Sequence, residues 1–355
     1  MSRFSSRDNA ATLFRPAVSR RTLLVSAGAG FGLTLAGRLS LAAQENAGEV
    51  TVYSGRNENL VGQILTRFQE ETGVTVNARY GDTAELAATI LEEGENSPAD
   101  VYLAQDAGAL GAVQANGRFA DLPDEILERV DARFRSDAGQ WVGVTGRARV
   151  AVYNTDMLAA ADLPASVVDL TDPSWKGLVG WAPTNGSFQA FVTAFRVLKG
   201  DDAAAAWLEA MQANEPLVFE SNGAITRAVG AGELPVGLVN HYYMYEVQAE
   251  MNQTLPLANH YFERGDVGSL VNVSGVGILN SAGNPDQARQ LADYLLGEDA
   301  QTYFAEETFE YPLVAGVEPV ADLKPLDEID SPEIDLGDLS DLQGTLELLA
   351  ETGIL

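Results

Sequence analysis

The chain of 355 residues contains no cysteine, only two histidines (His241 and His260) and only three lysines (Lys176, Lys199 and Lys324). Without cysteine there is no disulfide, zinc ribbon, iron–sulfur cluster, thiol nucleophile or lipidated cysteine anchor. Two histidines leave little room for a His-rich metal site, and neither lies in an H-E-x-x-H or nucleophile–base motif. The phosphate-cradling G-x-x-x-x-G-K-[ST] loop and the G-x-S-x-G elbow are also missing, so nothing here reads as an enzyme. Basic charge is scarce: 22 Lys+Arg face 51 Asp+Glu, a net charge of −29. That excess argues against nucleic acid and anionic membranes as partners. No apolar run beyond residue 43 is long enough to span a bilayer. What is present is a globular composition, 46% hydrophobic and 21% charged, at a length that suggests about two domains.

The N-terminus is the one basic segment. Ser19-Arg20-Arg21-Thr22-Leu23-Leu24 precedes a glycine-rich apolar stretch that Arg38 ends, with small residues at Ala42 and Ala43. This resembles a twin-arginine export signal over residues 1–43, followed by a peptidase site. The expected location is the periplasm or the exterior of the cell envelope. Removal of the segment takes away six arginines and one aspartate, leaving the remainder still more acidic.

Beyond it, strand patterns alternate with helical ones. Val50–Tyr53 reads as a strand, and Leu60, Val61, Ile64, Leu65 and Phe68 recur at helical spacing up to Gly73. Val74–Ala78 reads as strand, Asp82 caps a helix carrying Leu86 and Ile90, and Ala99–Ala104 is a short buried strand before a helix over 107–116. Two long extended stretches, 141–154 (broken around Gly146) and 268–279, read as crossovers between two α/β lobes. The expected fold is therefore a two-lobe, hinged α/β architecture, with a mixed, mostly parallel sheet in each lobe and a cleft between them. The lobes are expected at 44–146 plus about 272–322, and 147–271 plus about 323–355.

Ligands of open α/β sheets lie beyond the carboxyl ends of strands. Those ends carry Arg56-Asn57, Gln105, Thr184-Asn185-Gly186-Ser187, Asn222 and Asn240-His241-Tyr242-Tyr243. Adjacent tyrosines at a strand-to-helix junction can present two phenol oxygens to a cleft, and phenolate is a hard donor suited to a small, highly charged cation such as Fe³⁺. Taken alone, the pair reads first as ordinary core or rim aromatics. The helix openings at Asn185-Gly186-Ser187 and Asn222 offer free backbone N–H groups to an anion, and Arg56 and Arg147 can pair with an oxyanion. Read singly, each of these is a helix cap or a solvated charge; together they converge on one edge.

At these residues the chain resembles the periplasmic ferric-ion-binding proteins, the substrate-binding components of bacterial iron ABC transporters. The markers run in order over about residues 49–355: Val52-Tyr53-Ser54-Gly55-Arg56, Ser97-Pro98-Ala99-Asp100-Val101, Gly146-Arg147-Ala148-Arg149-Val150, Asp172-Pro173-Ser174-Trp175-Lys176-Gly177, Ala182-Pro183-Thr184-Asn185-Gly186-Ser187-Phe188, Asn240-His241-Tyr242-Tyr243 and Glu310-Tyr311-Pro312-Leu313. The resemblance implies Fe(III) as transported ligand, held with a synergistic anion such as carbonate, and delivery to an ABC permease in the cytoplasmic membrane by a monomer. It places the metal-binding pair on Tyr242 and Tyr243 and the anion subsite on Asn185, Gly186 and Ser187, with Asn222, Asn240 and Arg147 contributing and Arg56 available. Two ligand positions depart from the family's best-known pattern: Asn57 stands where many members carry histidine, and Gln105 where they carry glutamate. Both remove donor strength, so the alternative is a protein of the same fold that binds a small organic or oxyanion solute (phosphate, phosphonate or organic acid) without metal. His241 is expected to point away from the cleft.

Overall fold

A computed structural model describes residues 47–320 and 323–355 of the chain. The expected export signal lies outside the described residues. Ten strands are formed: β1 (Glu49–Ser54), β2 (Thr75–Tyr80), β3 (Val101–Ala104), β4 (Trp141–Asn154), β5 (Val179–Trp181), β6 (Leu217–Val218), β7 (Val236–Asn240), β8 (Leu257–His260), β9 (Val271–Ile278) and β10 (Tyr311–Pro312). Their order along the sheet is β2-β1-β3-β9-β4-β7-β5-β6, with β8 and β10 attached to β4.

The βαβ units pair in parallel, β1 with β2 and β3, and β5 with β6 and β7. Every antiparallel pairing between these ten strands involves β4 or β9, the two stretches read as crossovers. β4 belongs to both halves of the sheet. Its first part, Trp141–Ala148, pairs with β9, and its second part, Arg149–Asn154, pairs with β7 on one side and β8 on the other. All fourteen of its residues are buried, as expected of a strand covered on both faces. The expected break at Gly146 is absent: β4 runs through it unbroken, and the register shifts instead between Gly143 and Thr145. The 268–279 stretch opens with a 3₁₀ turn at Val267–Ser269 before β9 begins.

Local chemistry explains the helices that aim at the cleft. The helix Glu58–Thr72 buries Val61, Ile64, Leu65 and Phe68, and Gly73, in the left-handed region at φ 75°, ends it. The helix Gly186–Lys199 points Phe188, Phe191 and Phe195 inward at i, i+3 and i+7, where they pack edge-on or stacked with Trp181 and Trp207. That aromatic cluster fixes the helix so that Asn185 caps its cleft end. The final helix, Leu342–Glu351, packs on this helix and on Asp201–Ala213, while the 3₁₀ turn Leu336–Ser340 touches both Ala107–Ala115 and Gly186–Lys199. No helix among the described residues is long and apolar enough to cross a membrane.

Two buried polar connections reach the segment at Phe309 and Glu310. His241 is fully buried: its Nδ1 accepts the Ala148 N–H at 3.1 Å, so Nε2 carries the proton and donates to the Phe309 carbonyl at 2.9 Å. Burial drives its pKa down to about 4, with the Phe309 hydrogen bond opposing. Arg56 and Glu310, each 1% exposed, form a two-pronged ion pair at 2.7 and 2.6 Å. Burial raises the Glu310 pKa, but the Arg56 charge and hydrogen bonds outweigh it and hold the carboxyl below its ordinary value.

Two outcomes are expected. Because the unfolded chain takes up a proton at His241 near pH 6.5 and the folded chain only near pH 4, stability is lost as pH falls through that window. The loss amounts to ~3 kcal/mol. Glu310, with its depressed folded pKa, adds a further loss at lower pH. Urea unfolding at pH 7, 5.5 and 4.5 measures this, with His241→Gln flattening the window; an unchanged midpoint in the native chain contradicts it. Separately, a Cβ on Gly111 would lie 2.8 Å from the Gly337 carbonyl oxygen, so Gly111→Val should lower stability by about 1–3 kcal/mol in the same assay.

Candidate functional site

The strand ends enclose a cavity of about 390 Å³. Its wall includes Asn57, Gln105, Arg147, Asn185, Gly186, Ser187, Asn240, Tyr242 and Tyr243, so nine of the eleven residues singled out in the sequence meet in one place. A larger, more open groove of about 990 Å³ lies against the other side of the helix Tyr243–Met251, between Tyr245 and Lys324, and holds none of them.

The tyrosine pair closes one side. β7 ends at Asn240, and the helix beginning at Tyr243 leaves both rings stacked, centroids 4.4 Å apart at 29°. Tyr242 is 3% exposed. Burial holds both phenols above their ordinary pKa, Tyr242 well above; the charge of Tyr243 raises Tyr242 further, and that of Glu246 raises Tyr243. Neither becomes a phenolate near neutral pH unless a cation arrives to compensate. His241 points away from the cavity, into its contacts with Ala148 and Phe309, as expected.

The same cavity takes in the opening of the helix Gly186–Lys199. The Asn185 side chain accepts from the backbone and hydroxyl of Ser187 at 3.0 and 2.6 Å, and Asn222 donates to Asn185 and Ser187 at 3.3 and 2.9 Å. Asn222 therefore acts from behind: it is fully buried and reaches the cavity through Tyr243 and Ser187. Arg147, 2% exposed, donates to the Gln105 carbonyl and lies 3.8 Å from Glu310. Gln105 has a buried side-chain oxygen without a partner, and Asn57 stands exposed on the rim with no capping bond.

Arg56 is the exception among the arginines. It does not line the cavity, because both prongs of its guanidinium are spent on Glu310. The residue that sequence reasoning missed is Arg149. It lines the cavity, is 3% exposed, and reaches Leu238 O at 3.2 Å and Ser187 Oγ at 3.4 Å over the faces of Phe188 and Phe191. Burial lowers its pKa to about 9, and the groups that raise it back are Tyr243 and Tyr242, with no carboxylate contributing. The signal was available: Arg147 and Arg149 are two apart on one strand and so share a face. Asp106 also lines the cavity, capping the helix Ala107–Ala115 through Ala109 N at 3.0 Å, with its pKa raised by burial. Among the described residues no group of three or more His, Cys, Asp or Glu could hold a metal. The oxygen donors that line the cavity include the Tyr242 and Tyr243 phenols, the Asn57 and Gln105 amides and the carboxylates of Asp82 and Asp106.

Known proteins identify the family of this chain. The model of a family described as bacterial extracellular solute-binding protein matches residues 96–331. The chain is 34% identical over 308 residues to an Fe(3+)-binding periplasmic protein of Serratia marcescens, covering 86% of this chain and 90% of that one. It is 30% identical over 317 residues to the major ferric iron-binding protein of Neisseria meningitidis serogroup B, covering 88% and 95%. Among solved structures, iron-bound HitA from Pseudomonas aeruginosa superposes with a TM-score of 0.81 at 35% identity, covering 86% of this chain and 99% of that one. These neighbours are two-lobe periplasmic binding proteins, and the chain belongs to the bacterial extracellular solute-binding protein family.

Proposed function

We propose that this protein captures Fe(III) together with a synergistic anion in the cavity between its lobes and hands it to an ABC permease, making and breaking no covalent bond of a substrate. The observation that carries this reading is the stacked pair Tyr242–Tyr243 lining one cavity with two buried arginines. Two phenolates bring two negative charges to a trivalent ion and leave one positive charge. With Arg147 and Arg149 alongside, the remaining charge calls for an anion such as carbonate, seated on the N-terminus of the helix Gly186–Lys199 by Asn185, Gly186 and Ser187, with Asn240 beside it. Gln105 and Asn57 are neutral donors suited to water on the metal. Relatives named for ferric iron in Serratia and Neisseria support this reading over metal-free binding of a solute. A Trichodesmium protein of the same fold was solved with iron and citrate, which makes citrate a second candidate anion.

The lobes in this reading are 44–146 plus about 272–322, and 147–271 plus about 323–355, closing about β4 and β9. Export of a monomer to the periplasm through the twin-arginine signal at 1–43 belongs to the same reading.

Adding ferric citrate to the metal-free protein should produce a visible phenolate-to-iron charge-transfer band and release about two protons per iron, one for each phenol ionised. Tyr242→Phe with Tyr243→Phe should abolish the band; a colourless native protein, or colour retained in the double variant, rejects the proposal. Arg149→Met should weaken iron retention against a chelator at least about tenfold by removing a buried partner of the anion. Retention equal to that of the native protein would deny Arg149 this role.

A further inference from the structure

The marker Glu310-Tyr311-Pro312-Leu313 has no ligand assigned to it, yet the residues that open it hold the site from behind. Phe309 has φ 56°, a conformation that non-glycine residues seldom adopt. Its carbonyl accepts the His241 proton, and its ring stacks on Tyr245 at 5.6 Å, within the helix that begins at Tyr243. The next residue, Glu310, is 1% exposed and accepts from Arg56 twice and from Thr308 Oγ1 at 3.0 Å. One of its oxygens lies 3.8 Å from Arg147 Nε, a buried atom with no hydrogen-bond partner. Three charges are thus buried together. Arg56 takes both carboxylate oxygens, and Arg147 is left with attraction to Glu310 but no hydrogen bond to it.

We propose that Glu310 is a positioning residue that sets the anion specificity of the cleft. It holds Arg147 back and offsets part of its field, so that the anion subsite fills tightly only when a cation is present. This rests on the reading of Arg147 as an anion-facing residue. Without the metal, an incoming anion competes with Glu310 for Arg147. With the metal, the positive charge left over after two phenolates adds to the pull of the arginines, and the competition is overcome. Removing the carboxylate raises the buried cluster from one net positive charge to two and turns the cleft toward metal-free anion binding.

Isothermal titration of phosphate and of bicarbonate into metal-free protein tests this. Glu310→Gln should bind at least about tenfold more tightly than the native protein, because a full opposing charge has left the low-dielectric interior beside Arg147. Glu310→Asp should return affinity toward the native value. Equal or weaker binding by Glu310→Gln overturns the proposal, and a purely structural role predicts that loss. If Glu310→Gln does not fold, the double variant Arg56→Gln/Glu310→Gln takes its place: it removes the buried pair together and leaves Arg147 with no carboxylate behind it. A smaller gain in affinity is expected there, and no gain rejects the proposal. The iron reading fails separately. Native protein that stays colourless with ferric citrate while Glu310→Gln gains anion affinity would discard the iron cargo and keep Glu310's role. Colour in the native protein without any gain in the variants would do the reverse.

Discussion

Phenols buried beside buried guanidinium groups create a charge problem that the folded chain cannot solve by itself. Tyr242 and Tyr243 are too desolvated to ionise alone, and Arg149 sits in an aromatic pocket with no carboxylate to balance it. In the proposed reading a multivalent cation makes the phenolates affordable and an anion satisfies the arginines, so that each occupant reduces the cost of the other.

The backbone that maintains the constraint is β4. It passes through both halves of the sheet, carries Arg147 at the end of its pairing with β9 and Arg149 at the start of its pairing with β7, and sets Arg149 directly opposite Asn240. The step from β7 into the tyrosine helix is then clamped by His241, whose two ring nitrogens join β4 to the segment at Phe309. Any relative rotation of the lobes must act on this strand. Two residues of the cavity wall, Arg147 and Arg149, lie on this same strand.

Much of this was legible from residue order because the elements announce themselves locally. Glycine at 73, Asp82 as a cap, and the phenylalanine spacing from 188 to 195 each follow from short-range chemistry, and the structure places them as the pattern implies. Strand ends identified the cleft residues for the same reason. The failures came where long-range partners decide. Arg56 looks free at the end of β1, but Glu310, 254 residues away, captures it. Gly146 looks like a break, yet its register with β9 and β10 keeps it in strand. β8, with Leu257-Ala258-Asn259-His260, and the two-residue β10 carry too little β-branched character to be seen without β4 beside them.

The surplus of acid, −29 overall, does not reach Arg149, on which no carboxylate acts, whereas Arg147 has the buried Glu310 3.8 Å away. The most direct test of the account is an anomalous difference map at the iron edge from crystals of the protein grown with Fe³⁺ and carbonate. The account predicts one peak within bonding distance of both hydroxyls of Tyr242 and Tyr243, with an anion density between it and the Asn185–Ser187 turn. Iron placed elsewhere, or a closed cleft holding an anion with no metal at the tyrosines, would contradict it.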